Sequence, residues 1–171
     1  ADRGRGKSSA LGLAAANLLL EEADATTQRP STFLVTSPNP QSVATLFRQA
    51  KSQLEASKSI IDTLSSSSTT LTVGRNTLQF VSPDELSLKL PEANLVLVDE
   101  AAAIPAPQLQ QLCQHYPKII FATTIHGYEG SGRGFEIRFK QFLQQHYPEY
   151  QQLHMHQPIR WQSGDPLEGF W

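Results

Sequence analysis

Four uninterrupted apolar residues, Leu95-Val96-Leu97-Val98, run straight into two acids, Asp99-Glu100. A strand with one wet face alternates apolar and polar residues. A strand without that alternation has both faces covered, which is the condition of a central strand in a parallel sheet. Parallel neighbours need long crossovers, and helices supply them on both faces of the sheet. In open sheets of this kind ligands bind at the carboxyl ends of the strands. Asp99 and Glu100 fall at that end, so the feature predicts an α/β domain with two carboxylates at its ligand edge.

The remaining pattern agrees with a three-layer α/β domain built on a mainly parallel sheet. Residues 7–23 are rich in Ala and Leu and predict a helix. Phe33-Leu34-Val35-Thr36 reads as a short buried strand stopped by Ser37-Pro38-Asn39-Pro40. Val43, Leu46, Phe47, Ala50 and Leu54 recur at helical spacing over 41–57. Ser65 to Ser68 read as a mobile low-complexity loop. Residues 71–73 and 77–81 flank Gly74-Arg75-Asn76 as a hairpin or a pair of short strands. A helix is predicted at 106–116 behind Pro105, a strand from Lys118 to Thr124, an amphipathic helix over 135–146 and a last strand from Leu153 to Ile159.

The chain opens Ala1-Asp2-Arg3-Gly4-Arg5-Gly6-Lys7-Ser8, a phosphate-binding loop with Ala in place of its first Gly. Backbone N–H groups around Gly4 to Ser8 can point at phosphate oxygens, helped by the positive end of the following helix. Lys7 would reach the β- and γ-phosphates and Ser8 would ligate Mg2+. Asp99 is the second expected partner of the metal, and Glu100 the base or orienter of an attacking water. Loop and acid pair in this order predict binding and hydrolysis of a nucleoside triphosphate. A phosphate loop normally follows a buried strand. Here the loop comes first, so residues 1–171 are expected to be a single module excised from a larger protein.

Bulk properties narrow the class. A chain of 171 residues with 39% hydrophobic and 18% charged residues suits one soluble domain with a sizeable core. Its net charge of −2 excludes a global basic field, so any nucleic-acid contact must use a local surface. No apolar run reaches the roughly 20 residues needed to span a bilayer. The single cysteine, Cys113, fits a reducing, cytoplasmic setting.

Other residues keep two readings each. Ser37, Pro38 and Asn39 form a plain turn or a contact for a nucleic-acid backbone. Thr123 or Thr124 can sense a γ-phosphate. Arg133, in the glycine-rich stretch Gly127 to Phe135, can touch phosphate or RNA. His126 reads as a hydrogen-bonded loop residue rather than a catalyst, and Tyr128 equally as base-stacking or packing. Arg160 ends the last strand candidate, where spacing alone favours a surface salt bridge over a contact to the γ-phosphate. Cys113, His115, His146, His154 and His156 show no zinc-site spacing.

The opening loop, Val98-Asp99-Glu100-Ala101-Ala102-Ala103-Ile104-Pro105, Ala122-Thr123-Thr124 with His126-Gly127-Tyr128-Glu129-Gly130-Ser131-Gly132-Arg133-Gly134-Phe135, and Pro158-Ile159-Arg160-Trp161 with Asp165-Pro166-Leu167-Glu168 together resemble the helicase module of the tRNA-Met cytidine acetyltransferases. The resemblance runs from the first residue to the last. It implies a P-loop NTPase with a superfamily 1 helicase-like, RecA-like core similar to RecD-type helicases. It implies ATP and Mg2+ as cofactors, with Gly4, Arg5, Gly6, Lys7, Ser8 and Ser9 on the phosphates, Asp99 and Glu100 serving metal and water, and Arg160 contacting ATP. Ser37, Pro38 and Asn39 would lie where related helicases meet nucleic acid. The parent enzyme would carry a linked acetyltransferase domain and an RNA-binding tail, and would N4-acetylate the wobble cytidine of elongator tRNA-Met from acetyl-CoA. These 171 residues would hydrolyse ATP and not acetylate. A nucleotide-gated structural module that does not move along RNA satisfies the same motifs. A small-molecule kinase fits less well, because neither an acceptor pocket nor a lid is evident.

Overall fold

The computed structural model describes residues 5–24, 30–56, 64–66, 69–123 and 131–151. In chain order these form α1 (Arg5–Asp24), β1 (Thr32–Thr36), α2 (Pro40–Glu55), β2 (Leu64–Ser66), β3 (Thr70–Val73), β4 (Asn76–Phe80), α3 (Pro83–Lys89), β5 (Leu95–Val98), α4 (Ala106–His115), β6 (Ile119–Phe121) and α5 (Ser131–His146). One sheet, in the order β2-β3-β4-β1-β5-β6, holds all the described strands. β4, β1, β5 and β6 run parallel, with Val35 opposite Leu97 and Val98 opposite Phe121. β2 and β3 extend the sheet antiparallel beyond β4.

Strand alternation sorts the core into two halves. Phe33, Val35, Leu95 and Leu97 face α1 and α2, where Leu11, Ala15, Leu19, Leu46, Phe47 and Ala50 meet them. Leu34, Val96 and Val98 face the other way, toward Leu86, Leu109, Leu112 and Phe139 of α3, α4 and α5. β5 is buried at every position, as its unbroken apolar run predicts. Each fully buried leucine stabilises the fold by roughly 2 kcal/mol. The three-layer, mainly parallel architecture expected from sequence is the one observed.

Local chemistry sets the helix starts. Asn39 caps α2 by accepting from the Gln41 N–H at 3.0 Å, and Pro40 occupies the first turn, where its missing N–H costs nothing. Ser82 accepts from the Glu85 N–H to cap α3, with Asp84 and Glu85 in the first turn beside the positive helix end.

Several expectations need correction. The serine run was expected as a mobile loop, but Leu64–Ser66 forms β2, in register with Leu71–Val73. Pairing with the open edge of β3 overrides the weak strand propensity of serine. The helix expected from residue 135 starts at Ser131, so its glycines 132 and 134 lie inside the first turn despite their poor propensity. The strand expected from Lys118 to Thr124 is confined to Ile119–Phe121. Helix α3 was not expected. The strand candidate from Leu153 to Ile159 lies outside the described residues.

Cys113 sits on α4, half-buried against the second half of the core. Burial pushes its thiol from an ordinary 9.0 up to about 11. Thiolate is the reactive species, and two pH units cut its fraction about 100-fold. Iodoacetamide at pH 8 is therefore expected to label the folded protein at least about tenfold more slowly than the urea-unfolded protein. Equal rates would show that the thiol is not shielded.

Candidate nucleotide site

Three elements converge at the carboxyl edge of the parallel strands. α1 begins at Arg5, so the N–H groups of Arg5, Gly6 and Lys7 are among those that a helix leaves without an intrahelical partner. They carry the positive end of a 20-residue helix. β5 delivers Asp99, 1% exposed, directly beneath this end. α2, packed beside α1 on the same face of the sheet, brings in Ser42, 7% exposed.

The carboxylate of Asp99 is fully engaged. Its Oδ1 accepts from the Lys7 ammonium and, at 2.9 Å, from the Glu100 backbone N–H. Its Oδ2 accepts from the Ser8 hydroxyl at 2.6 Å. The Lys7 ammonium also lies 3.4 Å from Glu100 Oε1, and the Ser42 hydroxyl lies 3.3 Å from the same oxygen. Lys7 is itself nine-tenths buried, so these charges interact away from bulk water.

Glu100 has φ 55° and ψ 43°, the left-handed region. For a residue with a Cβ this conformation costs roughly 1–2 kcal/mol. The turn is over-determined by its neighbours. The Asp99 N–H donates to Thr36 O at 2.9 Å, and the Ala101 N–H to Ala122 O at 3.0 Å. The Ala102 N–H donates to Thr123 Oγ1 at 3.2 Å. The strained turn swings the Glu100 carboxylate back over the start of α1 instead of letting it follow the strand outward.

The donor set suits a nucleotide and its metal. Ser8 Oγ and Asp99 Oδ2, already in contact, present two hard oxygen ligands side by side, with the Glu100 carboxylate adjacent, which is the oxygen chemistry magnesium takes. Lys7 and the free N–H groups of α1 suit phosphate oxygens.

Lys7, Ser8, Asp99 and Glu100 are thus brought together, with Gly6 and Ser9 on the same first turns of α1. Arg5 is the first residue of that helix. Gly4, His126, Tyr128 and Arg160 lie outside the described residues, and of Arg133 only the backbone, early in α5, is described. Ser37 and Asn39 form a real turn at the end of β1, the Asn39 N–H donating to Ser37 Oγ at 3.1 Å. Ser42 was not singled out from sequence. Its only signal there is a polar residue beside apolar Val43 in the first turn of an otherwise well-patterned helix.

The doubly covered parallel sheet, with a Lys-Ser helix start packed on an Asp-Glu strand end, defines the class as a P-loop NTPase fold. The ATPase domain of the large terminase of a Thermus phage superposes with a TM-score of 0.50 at 12% identity, over 84% of this chain and 80% of that one. A mutant form of that domain does so at 0.50 and 16%, over 74% and 58%.

Residues 1–171 match the family of the RNA cytidine acetyltransferase NAT10/TcmA helicase domain, and the chain belongs to that family. The tRNA(Met) cytidine acetyltransferase TmcA of Vibrio cholerae is 44% identical over 171 residues, covering 98% of this chain and 22% of that protein. The protein of the same name from Nitrosococcus halophilus is 45% identical over 170 residues, covering 99% and 21%. That from Haloarcula marismortui is 42% identical over 171 residues, covering 98% and 21%. The chain therefore spans about a fifth of the length of the curated relatives it matches. Among the described residues no helix is long and apolar enough to cross a membrane.

Proposed function

We propose that this domain binds ATP with magnesium and hydrolyses it, as the RNA-directed motor of a cytoplasmic enzyme that N4-acetylates the wobble cytidine of elongator tRNA-Met. Acetyl-CoA would be used by a linked acetyltransferase domain outside these 171 residues. The observation that carries the reading is the convergence of Lys7, Ser8, Asp99 and Glu100 on one buried point, from segments more than 90 residues apart (|i−j| = 91–93). The names of the relatives, tRNA(Met) cytidine acetyltransferases, support the acetylation and the tRNA in this reading.

In this reading the N–H groups of Arg5 to Ser8 hold the phosphates. Lys7 leaves Asp99 for a phosphate oxygen. Ser8 and Asp99 hold the metal, which when bound neutralises phosphate charge. Glu100 orients a water and takes its proton as the water oxygen bonds to the γ-phosphorus. The bond from that phosphorus to the bridging oxygen breaks, leaving ADP and phosphate. Arg160 would add charge stabilisation at the γ-phosphate, and Ser37, Pro38, Asn39 and Arg133 would meet the RNA backbone.

The test is ATP turnover by the full-length protein with and without elongator tRNA-Met, beside Glu100→Gln. Turnover is expected to rise with tRNA. Glu100→Gln is expected to bind ATP normally and to hydrolyse it about 100-fold or more slowly, the scale of a lost general base. Turnover indifferent to tRNA would instead favour a nucleotide-gated structural module. Lost ATP binding in Glu100→Gln would make that residue structural.

A further inference from the structure

We propose that Ser42 is a positioning residue for Glu100, holding its carboxylate over the start of α1 once Lys7 has been drawn to a phosphate. The proposal rests on the reading above, in which Glu100 activates water.

Two donors meet at one atom, Glu100 Oε1: the Lys7 ammonium at 3.4 Å and the Ser42 hydroxyl at 3.3 Å. Lys7 is shared with Asp99 and is the cation a phosphate would attract. With Lys7 gone from Glu100, Ser42 is the side chain among those described that still donates to the carboxylate. A carboxylate on a flexible stem, its side chain 14% exposed, is left without a fixed orientation unless a donor holds it.

The hydroxyl of Ser42 is itself well fixed. It projects from the first turn of α2, where Asn39 caps the helix and Pro40 sets the backbone. The Val43 N–H returns to Asn39 O at 3.3 Å. Serine is a poorer helix former than alanine, and a buried hydroxyl is costly unless bonded. Alanine would therefore serve the helix as well or better. What serine adds at this place is the bond to Glu100.

The experiment is steady-state ATP hydrolysis by the full-length protein carrying Ser42→Ala or Ser42→Thr, with ATP affinity measured separately by nucleotide binding. Ser42→Ala is expected to lower kcat about tenfold, the low end for losing a hydrogen bond to a charged group. KM for ATP should stay within about twofold, because the phosphates keep all their partners. Ser42→Thr, which keeps a hydroxyl, is expected to recover most of the loss. An unchanged kcat in Ser42→Ala overturns the proposal. So does an equal loss in both variants, or a raised KM with kcat retained, since either pattern marks a packing role. If the unsubstituted protein binds ATP and never hydrolyses it, the reading of Glu100 fails first, and the role of Ser42 falls with it.

Discussion

Lys7→Ala is expected to lower ATP turnover by about 100-fold or more and to destabilise the protein at the same time. On the proposed reading, the first effect follows from removing the cation that would meet the charge growing in the transition state. The second follows from burial. Asp99 is 1% exposed and Lys7 9%, so the variant leaves a carboxylate in the interior with Ser8 and its own backbone neighbour for company. Breaking a buried ion pair from one side costs about 3 kcal/mol. Adding Asp99→Asn to Lys7→Ala removes the stranded charge and should raise the melting temperature again without restoring turnover. Near-normal hydrolysis in the single variant would remove Lys7 from the phosphate site. An unchanged melting temperature would mean that the pair contributes nothing to the fold.

Gly12→Ala is the second large effect, and it acts through packing. Gly12 lies where α1 crosses α2. A Cβ there would stand 2.4 Å from Leu46 O, 3.0 Å from Gln49 Cβ and 3.2 Å from Ala50 N. Two of these three atoms are backbone and cannot rotate aside. The helices must part by about 1 Å to reach ordinary contact. Alanine gains about 1 kcal/mol of helix propensity over glycine, against an overpacking cost of about 3 kcal/mol or more. For a domain of this size the difference lowers the melting temperature by on the order of 5 °C. ATP affinity should fall as well, because α1 carries Lys7 and Ser8 little more than one turn from the crossing. A variant as stable as the parent would mean that the helices part at no cost.

How much of this was legible in the sequence depended on how local each signal was. β5 and its acid pair were read correctly because burial on both faces leaves an unbroken apolar run. α2 was read from a clear 3.6-residue period, and the hairpin of β3 and β4 from its Gly74 turn, where φ is +60°. α3 was missed although Ser82-Pro83-Asp84-Glu85 spells a cap, a proline start and an acidic first turn. The helix is only 7 residues long, too short for a period to stand out. β2 was misread because serines carry no strand signal of their own and the pairing that makes them a strand comes from β3. The Lys7-Ser8 start of α1 and the acid pair were legible as motifs. Their meeting at one metal was expected, but the direct contacts of Lys7 and Ser8 with Asp99 were not, since sequence gives no distance between segments. Ser42 was invisible for the same reason: nothing local marks a serine that answers to a glutamate 58 positions away.

On the proposed reading, the Lys7–Asp99 contact has a kinetic consequence. Because the ammonium has a partner inside the protein, every phosphate that enters the site competes with Asp99 for it. That competitor is tethered and always present, so it works against the weakest-held ligand most. On the proposed reading, ADP loses the contact sooner than ATP, and the closing of Lys7 back onto Asp99 hastens release of the spent nucleotide. On that reading, the pair that closes the resting site would also limit how long the domain stays occupied after each turnover.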